Sequence, residues 1–288
     1  MKKQIISQAE EQKNDKSIEN VSIDVITEEK KNATVNSRDL SSKFPLTDSC
    51  HHYTSLGEID WDIQKYWYQR YSIFSLYDEG IYLTDDSWFG VTPEPIAKQV
   101  AKDLAKFCNS EKKVLIDMFS GAGGNVIAFA RMDQDQDQDQ DQDQHPWDQI
   151  IAIEKDISVL ACAYHNATIY NVQNKINWVH GDSFEYIKSH ASSINPKETV
   201  IFASPPWGGP GYQSHAIYDL DTMQPYSLNH IYESCKNMDM ALYLPRTSDL
   251  RQIASLAPEG KKIEVVQYCM MGASKALVAY IPSKVNYG

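Results

Sequence analysis

From about residue 90 onward, short continuous apolar runs alternate with stretches whose apolar residues recur at helical spacing. Val114–Phe119 reads as a buried strand, Gly121-Ala122-Gly123-Gly124 as a turn, and Asn125–Met132 as a helix. The pattern then repeats. Strands are predicted at Ile150–Ile153, Asn177–His180, Thr199–Ala203 and Met240–Leu244, and helices at Ser158–Tyr170, near Phe184–His190, at Thr222–Asn237 and at Asp249–Leu256. Two further strands, Ile263–Met270 and Lys275–Ile281, flank Gly272 with no helix between them. Ahead of this region, Ile96, Val100, Leu104 and Phe107 keep helical spacing. Thr92 suits the N-cap of that helix, Pro93 its first position and Glu94 its first turn.

Strands separated by helices predict a parallel sheet covered on both faces. The last two strands must pair as a hairpin, so one terminal strand runs antiparallel. The fold class is therefore α/β: a seven-stranded, mostly parallel sheet with one antiparallel strand and helices on both faces. A small N-terminal extension precedes it. Trp61, Tyr66, Trp67, Tyr68, Tyr71, Phe74 and Tyr77 crowd there, with Trp88 and Phe89 beyond, and most of these rings are expected to pack rather than bind. The polar, aromatic-poor residues 1–50 read as a disordered tail, residues 51–110 as the extension and first long helix, and 111–288 as the main domain. The alternating Asp-Gln run at 133–144 cannot build a core and is expected to loop out of the domain.

Charge narrows the partners. The net charge is −12. Six of these charges lie in the Asp-Gln run and the first 50 residues add −1, which leaves −5 for the rest. Such a balance disfavours tracking a long phosphate backbone and favours a compact target, such as a nucleotide or an RNA end. No run of 18 apolar residues and no secretory leader is visible, so neither membrane insertion nor secretion is expected. The five cysteines are scattered, with no Cys-x-x-Cys pair, which fits a reducing compartment without structural zinc.

Asp117-Met118-Phe119-Ser120-Gly121-Ala122-Gly123-Gly124-Asn125 follows a strand and opens a helix, as a nucleotide-binding turn does. A glycine-rich turn alone would not distinguish a site from a tight bend. Glu154 strengthens the reading: it ends the next strand, where an acid can accept ribose hydroxyls. Asp182, followed by Ser183, ends the third strand on the same rim and is a candidate for the adenine amino group. The turn lacks Gly-x-Gly-x-x-Gly, because Val126 stands where the third glycine would be. Asp117 would repel a pyrophosphate but suits a cationic sulfonium cofactor or its amino group. S-adenosylmethionine is therefore favoured over a nicotinamide dinucleotide.

Ser204-Pro205-Pro206-Trp207 follows the fourth strand directly. Two prolines fix φ and remove two amide donors, so the Pro205 carbonyl is held stiffly. Together with the Ser204 hydroxyl it can accept both hydrogens of an exocyclic amine and keep the nitrogen lone pair aimed at a methyl donor. Trp207 offers a stacking face, and its attraction to a cationic base is worth about 2 kcal/mol when desolvated. No histidine or acid cluster has metal-ligand spacing, and methyl transfer to an amine needs no metal.

Lys65-Tyr66-Trp67-Tyr68-Gln69-Arg70-Tyr71, Trp88-Phe89-Gly90-Val91-Thr92-Pro93-Glu94, Asp117–Asn125, Ser204-Pro205-Pro206-Trp207-Gly208-Gly209-Pro210 and Leu244-Pro245-Arg246 stand in one order over residues about 59 to 281. In this the chain resembles the trimethylguanosine synthase family of RNA cap guanine-N2 methyltransferases. The resemblance implies a class I methyltransferase fold and two N2 methylations of a 7-methylguanosine cap, giving the 2,2,7-trimethyl form. It implies small nuclear and nucleolar RNAs as substrates. A nuclear or nucleolar location with some cytoplasmic protein, and a monomer, are expected alongside. It assigns Trp207 to cap stacking and Ser204 and Pro205 to the amine. Phe89, Thr92, Asp117, Ser120, Gly121, Gly123, Asn125, Glu154, Asp182 and Ser183 fall to the cofactor. Arg246 is matched to the family's arginine after Leu-Pro, suited to a cap phosphate, with a structural salt bridge as the alternative. The chain departs at Tyr82, where a basic residue for the triphosphate is expected; Lys65, Arg70 or Arg246 would have to compensate.

Two other readings stay open at this level. One is an N-methyltransferase acting on guanine N2 or adenine N6 inside RNA or DNA, which would need base extrusion and a basic groove. The other is a catalytically inactive cap-binding module.

Overall fold

The structure, a computed structural model, describes residues 42–108, 111–133, 147–208 and 216–286. Most of the expected tail, nearly all of the Asp-Gln run and the Gly209-Pro210 end of the proline motif lie outside the described residues.

The seven strands among the described residues are β1 (Val114–Asp117), β2 (Gln149–Glu154), β3 (Ile176–His180), β4 (Thr199–Ala203), β5 (Asp239–Pro245), β6 (Glu264–Met270) and β7 (Ala273–Ile281). They form one sheet in the order β3-β2-β1-β4-β5-β7-β6. β7 alone runs antiparallel, and it inserts between β5 and β6. The chain reverses its direction of travel across the sheet between β1 and β4, the topological switch point where open α/β sheets bind ligands.

Successive β1 residues point to opposite faces: Leu115 joins one apolar cluster and Ile116 the other. On the first face lie α4 (Glu94–Phe107), α5 (Gly124–Ala130) and α6 (Ile157–Ile169), with Leu104, Phe129 and Leu160 in that cluster. On the second lie α7 (Ser183–Ser189), α8 (Leu228–Cys235) and α9 (Leu250–Ser255), with Ile187, Ile231 and Ile253. The extension contributes the short helices α1 (Gln64–Trp67), α2 (Arg70–Ile73) and α3 (Ser87–Gly90) to the first face, where Trp88 and Tyr77 are fully buried.

Three expectations change. Residues 42–50 are not part of a tail: Phe44 packs edge-on against Tyr164 at 5.6 Å, Cys50 is buried, and the Thr47 hydroxyl bonds Ser158 at 2.8 Å. The apolar positions Phe44, Leu46 and Cys50 are too few to show against their polar neighbours, yet they cover α6. Thr92 does not cap α4; its hydroxyl accepts from Asn125 instead, and Pro93 occupies the cap. The helix expected over Thr222–Asn237 forms only at Leu228–Cys235, because Pro225 lacks an amide and Ser227 caps the later start.

Candidate active site

The turn after β1 is built across the switch point. Asp117 pairs in register with Ala152 of β2 and Phe202 of β4. Beyond it the Met118 amide donates to the Phe202 carbonyl at 2.9 Å, and the Ser120 amide to the Ile153 carbonyl at 3.0 Å. The turn is thus laced to both neighbours. Gly123 sits at φ +98°, a conformation that demands glycine, and a Cβ there would press on the Ile127 side chain at 3.0 Å.

Asp117 is 0 % exposed. One oxygen accepts the Phe119 amide at 3.3 Å, and the other, Oδ2, is buried with no hydrogen-bond partner. Burial, with the Glu154 charge adding to it, pushes the carboxyl up to about 8. Ser120 Oγ and Asn125 Oδ1 are also buried without partners. Three acceptor-capable atoms on one turn call for a ligand that donates hydrogen bonds and carries positive charge. The ammonium and hydroxyls of S-adenosylmethionine match that donor set.

Glu154 is not a solvated strand-end charge. Its Oε2 accepts the Gly121 amide at 3.0 Å, and Oε1 accepts the amides of Lys155 and Asp156 at 2.8 and 3.0 Å. Burial still raises its carboxyl above the ordinary range. Asp182 caps α7 through the amides of Phe184 and Glu185 and accepts the Tyr226 hydroxyl at 3.1 Å. Burial opposes its ionisation, but these donors outweigh that and hold the carboxyl below its usual value. The Ser183 hydroxyl donates to the Met118 carbonyl, so this residue braces α7 against the turn. Phe89 is half-buried, edge-on to Tyr66 at 5.4 Å.

The Ser204-Pro205-Pro206-Trp207 segment leaves β4 two residues beyond the register partner of Asp117, on the same rim. Ser204 is half-buried and Pro205 buried. The Trp207 carbonyl accepts the Tyr218 hydroxyl at 2.8 Å. Its indole lies parallel to the Tyr243 ring, with centroids 6.0 Å apart and an angle of 11°. Arg246, just past β5, is exposed and donates to the Ser274 carbonyl at 3.3 Å. Among the candidates for replacing a cation at Tyr82, Arg70 is committed elsewhere. Its guanidinium stacks on Trp67 and Tyr71 at 3.8 and 4.3 Å. Lys65 lies over Tyr66 at 4.7 Å, and Tyr66 in turn meets Phe89.

A family model described as RNA cap guanine-N2 methyltransferase matches residues 112–284. The chain is 32 % identical over 225 residues to the trimethylguanosine synthase of Schizosaccharomyces pombe, covering 77 % of this chain and 87 % of the relative. It belongs to the RNA cap guanine-N2 methyltransferase family. The Saccharomyces cerevisiae trimethylguanosine synthase is 34 % identical over 194 residues, 66 % of this chain and 56 % of that protein. Two solved structures share the fold at low identity. A putative methyltransferase of Porphyromonas gingivalis superposes with a TM-score of 0.55 at 15 % identity, covering 78 % of this chain and 49 % of that one. The human methyltransferase 10 domain containing protein gives 0.52 at 14 %, covering 79 % and 100 %. This family member is an S-adenosylmethionine-dependent enzyme that methylates guanine N2 of an RNA cap. Among the described residues, no three His, Cys, Asp or Glu side chains group to hold a metal ion.

Four residues at or beside the site escape a reading of motifs. Tyr226 joins Asp182 within an aromatic cluster with Phe119 and Phe184. Tyr218 and Tyr243 support Trp207. Asn166 donates to the Ala122 carbonyl of the turn at 3.1 Å. Only Asn166 leaves a trace in the sequence, as one polar residue on a helix face otherwise made of Cys162, Ala163 and Ala167.

Proposed function

We propose that the enzyme methylates N2 of a 7-methylguanosine cap twice, giving 2,2,7-trimethylguanosine on small nuclear and nucleolar RNAs. The observation that carries this reading is the shared rim. The buried Asp117 oxygen and the stiff Ser204-Pro205 acceptors leave adjacent strands, β1 and β4, side by side. Both relatives are trimethylguanosine synthases, which supports the doubly methylated product.

In this proposal Asp117, Ser120 and Asn125 receive the amino-acid end of S-adenosylmethionine, and Glu154 receives its ribose hydroxyls through lone pairs not used by the turn. Asp182 and the Phe119, Phe184 and Tyr226 rings enclose its adenine. When bound, the cofactor supplies an electrophilic methyl group. The Pro205 carbonyl and Ser204 hydroxyl accept the N2 hydrogens and orient the nitrogen lone pair. Trp207, backed by Tyr243, stacks on the base, and the positive charge of 7-methylguanine strengthens that contact. The amine proton released by transfer passes to water. After one transfer N2 keeps one hydrogen and its lone pair, so the same acceptors can orient the second. Arg246 and Lys65 serve the triphosphate, and the enzyme acts in the nucleus as a monomer.

Methyl incorporation into 7-methyl-GTP and GTP, read by mass spectrometry, tests this. Rapid formation of the dimethylated product from 7-methyl-GTP is expected, with little from GTP. Equal activity on both would overturn the cap reading.

A further inference from the structure

We propose that the surface running from Arg246 over Ser274 and Lys275 to Gln69 and Tyr68 holds the first nucleotides of the RNA behind the cap. The inference rests on the cap reading above. It extends the site from the cap to the chain attached to it.

The sheet order sets the direction of this strip. Glu154 ends β2 and Asp182 lies just past β3, so the cofactor side of the rim lies on one flank of β1. Trp207 follows β4 and Arg246 follows β5, on the other flank. β7 is the next strand out, and because it is antiparallel its start lies on this same rim. The pairing of Pro245 with Ala276 places Ser274 and Lys275 beside Arg246. RNA leaving a cap on Trp207, away from the cofactor, therefore meets β5, then β7, then the extension.

The contacts along this route are continuous. Arg246 donates to the Ser274 carbonyl, and Lys275 Nζ reaches Gln69 Oε1 at 3.4 Å. Gln69 is tied back to the Lys65 carbonyl at 3.0 Å. Tyr68, next to Gln69, is 64 % exposed and rests edge-on against Trp67. At the tip of the β6–β7 hairpin Met271 is 82 % exposed. Two cations interleaved with an exposed ring and an adaptable thioether are the elements of a sequence-tolerant single-strand platform. Trp61 is more exposed still, at 85 %, but Asp60 and Asp62 flank it, and it falls outside the strip on charge. The modest number of cations limits the footprint to a few phosphates, in keeping with the acidic balance of the chain.

Steady-state methylation by the full chain is compared on 7-methyl-GTP and on a capped, unstructured tetranucleotide. The wild type is expected to show a lower KM for the tetranucleotide, with a steeper salt dependence. Lys275→Glu and Tyr68→Ala should each raise the tetranucleotide KM about tenfold and leave 7-methyl-GTP kinetics unaltered. Lys275→Arg should restore the wild-type value. Equal KM for both substrates in the wild type, or variants that affect both alike, would overturn the assignment. An unchanged tetranucleotide KM in both variants would also overturn it, and would leave the strip to a protein partner. Wild-type inactivity on both cap substrates would instead remove the cap reading itself.

Discussion

Asn166 and Tyr82 are joined by two hydrogen bonds, 84 residues apart in sequence. The Tyr82 amide donates to Asn166 Oδ1 at 2.9 Å, and Asn166 Nδ2 donates back to the Tyr82 carbonyl at 2.9 Å. The same Nδ2 reaches Ala122 in the turn after β1. A fully buried amide on α6 thus fastens the extension and the turn to one another. The Tyr82 side chain is used separately: its ring packs edge-on against His165 at 5.0 Å.

Asn166→Ala leaves a buried amide and two carbonyls to find other partners, each costing about 1–3 kcal/mol. A loss of about 3 kcal/mol in denaturant unfolding is expected, together with weaker cofactor binding because Ala122 is released. An Ala variant as stable as the wild type would show that water replaces the clasp.

Glu94 does for the outer side of the extension what Asn166 does within. It accepts the Ser75 amide at 2.7 Å and the Tyr170 hydroxyl at 2.9 Å, and pairs with Lys98 and Arg131, both at 3.1 Å. Burial opposes its charge, but the Ser75 and Lys98 contacts outweigh it and hold the carboxyl at about 2. A depressed carboxyl stabilises the fold above its unfolded value, near 4.5, and that contribution fades as pH falls towards 2. Glu94→Gln should therefore cost about 3 kcal/mol at neutral pH. The gap to wild type should close on acidification, as followed by urea unfolding at a series of pH values. A gap independent of pH would assign the loss to packing.

The sheet was legible because each strand is a short apolar run closed by a turn, and the missing helix between the last two strands announced the reversed β7. The cofactor turn and the proline motif were legible because backbone demands, positive φ and fixed φ, restrict residue choice. What supports them was not. Tyr218, Tyr226 and Tyr243 reach the site through tertiary contacts that leave no spacing in the chain. Ser183 lies beside Asp182 in sequence and so looked like a ligand contact, whereas its hydroxyl turns inward to Met118. The N-terminal boundary was misplaced because three apolar residues covering α6 are too few to lift the local composition.

If Asp117 receives the cofactor as proposed, pH and cofactor binding should be linked. Burial holds its carboxyl at about 8, above the ordinary 3.8, so the folded state holds a proton that the unfolded chain releases. Its contribution to stability is full below 3.8 and is lost as pH rises towards 8. The cofactor's ammonium supplies the missing counter-charge and favours the ionised form. The thermal shift produced by saturating S-adenosylmethionine should therefore grow between about pH 6 and about pH 8 in the wild type and stay flat in Asp117→Asn. Asp117→Ala should weaken binding roughly 100-fold, the scale for losing one partner of a buried charge pair. Unaltered calorimetric affinity in the Ala variant would remove Asp117 from the cofactor site.

Trp207 separates binding of the base from binding of the cofactor. Its indole touches both apolar clusters and is supported by Tyr243, while the acceptors proposed for the cofactor lie on the β1 turn, at the end of β2 and just past β3. Trp207→Ala removes the plane proposed to stack on the base, and with it the ring that packs against Tyr243. Transfer should fall roughly 100-fold or more, the scale for misplaced reacting groups, with cofactor affinity little altered. Trp207→Phe keeps an apolar plane of smaller quadrupole. It should retain activity but lose part of the preference for 7-methyl-GTP over GTP, up to about 30-fold if the full 2 kcal/mol of cation–π attraction is at stake. Specificity constants for both nucleotides, with cofactor affinity measured in parallel, separate these effects. A Phe variant with undiminished preference would place recognition of the 7-methyl charge on another group, and an Ala variant that loses cofactor affinity would make Trp207 part of the cofactor site.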